Sequence, residues 1–315
     1  MNVISIIVPC LNEEGNITRC YKAILDTFTE ISDSDFELIF VDDGSTDSTA
    51  DRIKALIEKD SRCHLIVNAR NFGVYRSSFN ALKYTTGDAT IPLMPVDLQD
   101  PPSLIPEFVR VWREGNLVVA GVRYEREEKA IMRSIRRLYY RISSRLADFE
   151  LPKYVGEFQL LDKSIVKQLQ GIDDYYPYTR GLIASLSNKR VTVPYVWKKR
   201  EIGRSNMNLW GLLDQGLNGI VSTSTAPLRM LTIMSFFSAL IAGLFGCIQI
   251  VAYFTFAHSI TAPGISSIIV LISFFAAINA ISFGVLAEYV GAVHAQVRGR
   301  WRVVERELVN LEVKP

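Results

Sequence analysis

Apolar residues follow two regimes along the chain, and the change comes near residue 228. Before it, short apolar runs alternate with longer stretches of helical periodicity. Ile4-Ser5-Ile6-Ile7-Val8-Pro9 reads as a buried parallel strand closed by a proline. A helical stretch follows over residues 13–29, then a second strand, Phe36-Glu37-Leu38-Ile39-Phe40-Val41. That strand runs into Asp42-Asp43-Gly44-Ser45-Thr46-Asp47, where Thr46 or Asp47 is suited to cap a helix. Further strands are expected at 64–67, 89–94 and 117–122, with helical patterns between them. This alternation predicts an α/β domain with a mostly parallel sheet between helical layers. Such folds bind ligands at the carboxyl ends of the strands. Asn12, Glu13, Asp42, Asp43, Arg70, Asn71, Asp97 and Gln99 all fall there.

After residue 228 the pattern changes. Residues 230–256 and 265–287 contain no charged side chain. Each run exceeds the ~20 residues that cross ~30 Å of hydrocarbon at ~1.5 Å per residue. The connection between them carries no Lys or Arg, whereas Arg229 precedes the first run and Arg298, Arg300, Arg302 and Arg306 follow the second. The positive-inside rule then predicts a two-helix hairpin, residues 229–290, with both ends in the cytoplasm. Glu288 and Tyr289 close the second run as an interfacial pair. Two amphipathic stretches are expected to lie at the membrane surface. One covers about 127–147 and carries Arg133, Arg136, Arg137, Arg141 and Arg145; the other, 201–228, carries Trp210. The layout is therefore an α/β domain at 1–200, a juxtamembrane helix at 201–228, the hairpin, and a cytoplasmic tail at 291–315.

Composition supports this division: hydrophobic residues make up 49% of the 315-residue chain, and the mean hydropathy is +0.16. A formal net charge of +2 offers no case for nucleic acid as a partner. Cys10, Cys20, Cys63 and Cys247 show no paired spacing, so reduced thiols are expected. Met1-Asn2 runs straight into the first strand without a basic stretch, and no signal peptide is expected.

Four ordered motifs carry a resemblance. They are Val8-Pro9-Cys10-Leu11-Asn12-Glu13-Glu14, Val41-Asp42-Asp43-Gly44-Ser45-Thr46-Asp47, Arg70-Asn71-Phe72-Gly73 and Asp97-Leu98-Gln99-Asp100-Pro101-Pro102. With the hairpin ending in Ala287-Glu288-Tyr289, the chain resembles glycosyltransferase family 2, and within it the polyprenyl-phosphate glycosyltransferases. The resemblance implies a GT-A (Rossmann-like) fold. It implies inverting transfer from a nucleotide-sugar, UDP-linked by preference, to a polyprenyl phosphate such as undecaprenyl phosphate. It further implies a site on the cytoplasmic face of the bacterial inner membrane, a cell-envelope glycan role, and a homo-oligomer, a tetramer by the family's habit.

The same resemblance assigns residues. Pro9, Leu11, Glu13, Asp42, Asp43, Arg70 and Asp97 would bind the donor, since carboxylates accept hydrogen bonds from base nitrogens and ribose hydroxyls. Asp97 would be catalytic as the ligand, with Gln99, of Mg²⁺ or Mn²⁺ on the diphosphate. Glu157 would be the second catalytic residue, orienting acceptor or sugar. Arg123, Arg133, Arg137, Arg200 and Ser205 would hold the acceptor phosphate, which suits bidentate arginine contacts.

Three positions depart from the family pattern. Pro95 stands where the first acid of Asp-x-Asp is usual, Gln159 replaces an arginine in Gly156-Glu157-Phe158-Gln159-Leu160, and Asn206 replaces a lysine after Ser205. They open a competing expectation, a non-catalytic or metal-independent paralogue that binds nucleotide or partners at the membrane. A processive synthase is disfavoured. Gln296-Val297-Arg298-Gly299-Arg300-Trp301 has one residue too many for Gln-x-x-Arg-Trp and follows the last apolar run.

Overall fold

The structure, a computed structural model, describes residues 1–31, 33–125, 141, 143–147, 155–187, 189–197, 216–255, 264–297 and 303–311. Strands β1 (Asn2–Cys10), β2 (Ser34–Asp42), β3 (Cys63–Asn68) and β4 (Ala89–Ile91) alternate with helices α1 (Ile17–Thr29), α2 (Thr49–Ile57) and α3 (Val74–Ala81). Then come α4 (Ile105–Arg113), β5 (Val118–Glu125), β6 (Val155–Asp162), α5 (Lys163–Gln170), α6 (Thr179–Leu186) and β7 (Arg190–Val196). Two long helices, α7 (Ala226–Thr255) and α8 (Gly264–Val297), precede a last strand, β8 (Glu305–Val309).

The strands form one sheet in the order β7-β5-β6-β4-β1-β2-β3-β8. Pairing is parallel for β1 with β2 and β4, for β2 with β3, and for β5 with β7. It is antiparallel where β6 meets β4 and β5, and where β8 meets β3. The α/β architecture with a mostly parallel sheet is thus the one expected of a GT-A type domain.

Both faces of the sheet are covered, and this is why β1 is continuously apolar. Ile4, Ile6 and Val8 pack on one side with Ile17, Cys20 and Ile24 of α1, Ile53 of α2 and Phe108 of α4. Ile7, Ile39, Val41 and Ile66 face the other side, against Ala81 of α3, Ile165 and Leu169 of α5 and Ile183 of α6. Phe108 and Phe158 meet with ring centroids 5.0 Å apart, which seats α4 on β6.

Boundaries move where local chemistry overrides the apolar pattern. Residues 13–16 form a turn, and α1 begins only at Ile17. The Asp47 carboxylate accepts from the Thr49 N–H at 3.0 Å and from its hydroxyl at 2.5 Å, so Asp47 closes the first turn of α2 from outside the helix. β4 is three residues long rather than running on through 94. The largest difference lies at the C-terminus. What reads as a tail folds back, and its residues 305–309 become the edge strand β8. The expected surface stretches 127–147 and 201–228 lie largely outside the described residues.

α7 and α8 contain two segments, Ala226–Phe245 and Phe274–Val297, long and apolar enough to cross a membrane, and neither is buried in the protein. Phe236, Leu240, Phe283 and Val293 are all more than half exposed, so a helical hairpin buried in a soluble core does not describe them. At their base the Tyr289 hydroxyl donates to the Ser224 carbonyl at 2.6 Å. The Gln296 side chain accepts from the Tyr175 N–H at 2.8 Å and donates to the Asp173 carbonyl.

Two expectations follow for stability, each read as thermal unfolding in detergent. Asp60 accepts from Arg62 (2.7 Å) and Tyr21 (2.9 Å), and Arg62 also reaches Asp35 at 2.7 Å. The Arg62 hydrogen bonds pull the Asp60 pKa down to about 2. Because that lies below the unfolded value of about 3.9, the stabilisation is complete above pH ~4 and is lost as pH falls towards 2. Asp60→Asn should cost about 1 kcal/mol at neutral pH, the partly exposed Arg62 limiting the effect, and should flatten this acid limb. At β8, Glu305 accepts from Asn80 at 2.7 Å and Tyr84 at 3.1 Å and pairs with Lys83 at 2.6 Å, whereas the more exposed Glu307 pairs with Lys54 alone at 2.8 Å. Glu305→Ala should cost about 1–2 kcal/mol and Glu307→Ala under about 0.5 kcal/mol.

Candidate active site

The carboxyl edge of the sheet is assembled by loops that clasp one another. Asn12 sits at φ 55°, a left-handed conformation that asparagine tolerates. From there its side-chain oxygen accepts from the Thr46 N–H at 2.8 Å, and its own N–H donates to the Ser45 hydroxyl at 2.9 Å. The Glu13 N–H donates to Thr49 Oγ1 at 2.9 Å, and its carboxylate accepts from Asn16 at 2.6 Å. The first two sequence motifs are thus one interlocked unit. Pro9, at the end of β1, pairs with Val41, and Leu11 follows it half-buried.

The paired aspartates face different ways. Asp43 is buried, and its Oδ1 accepts from Asn68 (2.8 Å), the Phe72 N–H (3.0 Å) and Ser77 (2.6 Å), while Oδ2 accepts from the Gly73 N–H at 2.8 Å. All these donors are internal, so Asp43 organises the Arg70–Gly73 loop. Asp42 Oδ1 accepts from the Ser45 N–H at 3.0 Å, but its Oδ2 is buried without a hydrogen-bond partner. A buried carboxylate oxygen left unmatched is costly, and this one has no match among the described residues. Gly44, at φ +82°, lies where a Cβ would come within 2.8 Å of the Arg70 carbonyl carbon, so only glycine lets the two loops meet. Arg70 is exposed at this rim, its guanidinium 4.1 Å above the Phe72 ring.

After β4 the chain turns through Leu98 at φ 59°, with the Asp97 carboxylate accepting from the Gln99 N–H at 3.2 Å. Asp97 and Gln99 are half-buried. No group of three His, Cys, Asp or Glu side chains that could hold a metal exists among the described residues. One carboxylate and one amide nonetheless suit a hard cation that keeps several waters and takes its other ligands from phosphates.

Beyond Gln99 lies a cluster that joins the expected Arg123 and Glu157 to Asp100, Tyr195 and Arg180. Asp100, wholly buried, accepts from Arg123 at 3.1 Å and from the Tyr195 hydroxyl, which in turn accepts from Arg123 Nε at 3.0 Å. Burial opposes the charge on Arg123, but Asp100 and Tyr195 outweigh it and hold the pKa above its ordinary value. Glu157 forms an ion pair with Arg180 at 2.8 Å. Burial raises the Glu157 pKa, against the pull of Arg180 and Arg123. Because β6 runs antiparallel to β4 and β5, its start lies beside their ends, and this brings Glu157 to the edge that carries Asp97 and Arg123. Asp100 was legible only as part of a motif; Tyr195 and Arg180 had no signal in the sequence. Arg133, Arg137, Arg200 and Ser205 lie outside the described residues.

The chain is similar to known proteins. The profile of Glycosyl transferase family 2 matches residues 5–170. The bactoprenol glucosyl transferase of Shigella phage SfX is 32% identical over 300 residues, covering 95% of this chain and 97% of the relative. An uncharacterized glycosyltransferase of Synechocystis is 29% identical over 313 residues, covering 99% and 97%. Among solved structures, a mannosyltransferase from Pyrobaculum calidifontis in complex with GDP-Man and Mn²⁺ aligns with a TM-score of 0.49 at 16% identity, over 95% of this chain and 88% of the other. Profile and full-length relatives agree, and the chain belongs to glycosyltransferase family 2.

Proposed function

We propose that this glycosyltransferase moves a hexose from a UDP-sugar to a polyprenyl phosphate at the cytoplasmic face of a bacterial inner membrane, for modification of a cell-envelope glycan. The observation that carries this reading is the full-length likeness to a bactoprenol glucosyl transferase, apolar hairpin included. The docking of β8 on β3 supports the topology. It returns the chain to the domain after α8, which suits an even number of crossings with both ends on one side. The family habit of homo-oligomers, a tetramer here, belongs to the same reading.

The donor lies along the carboxyl edge between the β1–α1 and β2–α2 loops. The unmatched Asp42 oxygen accepts from the base, Glu13 faces the ribose, and Arg70 closes over the diphosphate from the rim. Asp97 and Gln99 would hold Mg²⁺ or Mn²⁺, which supplies charge neutralisation to the departing nucleoside diphosphate. With one carboxylate where two are usual, such a cation would depend on the donor's phosphates for further ligands. The acceptor needs no strong base, because a phosphate monoester with a second pKa of about 6 is already ionised at neutral pH. Arg123 holds that phosphate and Glu157 orients it for attack on the anomeric carbon from the face opposite the leaving group.

Undecaprenyl phosphate assayed with a panel of nucleotide-sugars, read as the mass of the lipid product, should give a product with a UDP-hexose; no glycolipid from any donor overturns the reading. Asp97→Ala should lower kcat/KM by about 10³-fold or more. Asp42→Asn should raise the donor KM about 10- to 100-fold with the lipid KM unchanged, because the buried acceptor loses its charge.

A further inference from the structure

The pair between Glu157 and Arg180 sits on a path that leads out of the site to the membrane helices. Arg180 lies in the first turn of α6. Its Nε is 2.8 Å from Glu157 Oε1, and both side chains are mostly buried, at 20% and 14% exposure. Its Nη1 also reaches the Val155 carbonyl at 3.4 Å, at the start of the strand that carries Glu157. Among the described residues, the other charged groups acting on Glu157 are Arg123 from β5 and Asp100 from the loop after β4. Arg123 already bonds Asp100 and Tyr195, so Arg180 is the cation that fixes the position of Glu157.

The next residue faces the opposite way. Gly181 is buried, and a Cβ there would lie 2.9 Å from Thr223 Cγ2 and run into the Tyr178 ring. α6 therefore packs closely on Tyr178 and Thr223 at this point. Thr223 is buried and anchored to the Gly219 carbonyl at 2.6 Å. Ser224 then caps α7, its hydroxyl accepting from the Ala226 N–H at 3.0 Å, and its carbonyl accepts from Tyr289 of α8. One residue of α6 grips the carboxylate in the site and its neighbour seats on the base of the apolar hairpin.

We propose that Arg180 is a positioning residue for the acceptor: it locks Glu157 to α6, and α6 locks both to the base of the hairpin, so the membrane seat and the acceptor side of the site are held as one rigid unit. This rests on the reading above, in which Glu157 orients a lipid phosphate. The donor side has a separate support, the Asp43-organised loops, and does not depend on this path.

The test uses the full-length enzyme in lipid nanodiscs, with initial rates measured against polyprenyl phosphate and against nucleotide-sugar separately. Arg180→Gln should raise the lipid KM about tenfold and leave the donor KM within about twofold. Arg180→Lys should restore most of the loss, since it keeps a cation near Glu157. Arg180→Gln combined with Glu157→Gln should cost no more than the worse single change, because the two act as a unit. Gly181→Ala keeps the charge but forces α6 apart from the Tyr178 ring and Thr223, and it should also raise the lipid KM. Equal losses on donor and lipid KM, or no recovery with lysine, would overturn the role of Arg180. If Arg180→Gln does not fold, an unchanged lipid KM in Gly181→Ala overturns the coupling instead. A wild-type enzyme that glycosylates no polyprenyl phosphate overturns the function and this inference together. Wild-type turnover with unaffected variants overturns the inference alone.

Discussion

The carboxyl edge depends on one buried carboxylate. Asp43 receives two backbone N–H groups, from Phe72 and Gly73, and two side chains, Asn68 and Ser77. Charge-assisted bonds of this kind are stronger than neutral ones, and a buried charge is tolerated only when its acceptors are matched. The chain meets that condition by bringing the end of β3 and the start of α3 around the end of β2. The Arg70–Gly73 loop then has one position, and Gly44 fits beneath it only because it lacks a side chain. With Asp43 engaged inside, its neighbour Asp42 keeps one buried oxygen without a hydrogen-bond partner among the described residues. Two adjacent residues of one type thus end in different surroundings, one fully matched and one not, because side chains alternate at a strand end.

The far half of the edge is built differently. Asp100, Arg123, Tyr195, Glu157 and Arg180 come from a loop, three strands and a helix, and their formal charges sum to zero. A neutral, mutually bonded cluster can be buried where an isolated arginine could not. It also keeps arginine donors fixed in place beside the sheet edge, ready for an anionic group without reorganisation. An amide at Gln159 suits this setting. It is buried and bonds the Gly156 carbonyl at 3.0 Å, so the position takes a neutral group without an uncompensated charge.

How much of this is legible in the sequence follows from where each residue lies. β1 to β3 are central or nearly so, buried on both faces, and their apolar runs announce them. β7 is an edge strand that contains Pro194, and β8 is an edge strand reading Glu-Arg-Glu-Leu-Val. Edge strands carry proline and charge to discourage further pairing, which erases the apolar signal. The Asp42-Asp43 pair is visible as a site, but its division of labour depends on Asn68 and Ser77, whose approach is tertiary. Arg180 and Tyr195 are ordinary residues in sequence; the antiparallel insertion of β6 places Glu157 at this edge, and the pairing of β7 with β5 sets Tyr195 opposite Arg123.

That insertion also explains why the chain returns to the sheet after the hairpin. With β6 and β5 extending one side and β7 closing it, the open edge of the parallel half is β3, beside the donor loop. Leaving it bare would expose unpaired backbone groups directly before Arg70. β8 covers it, and the bond from the Ala69 N–H to the Val304 carbonyl at 2.8 Å extends the ladder to the loop itself. The two ends of the hairpin thus meet the domain at different places. The entry, at Thr223 and Ser224, bears on α6; the exit bears on the loop before α6 through Gln296 and on β3 through β8. A helical pair held at its base by α6, by the loop before it and by β8 has its axis set relative to the sheet. A soluble domain on a flexible tether would have no such constraint, and the reacting groups of a lipid-borne acceptor would meet the site at random heights.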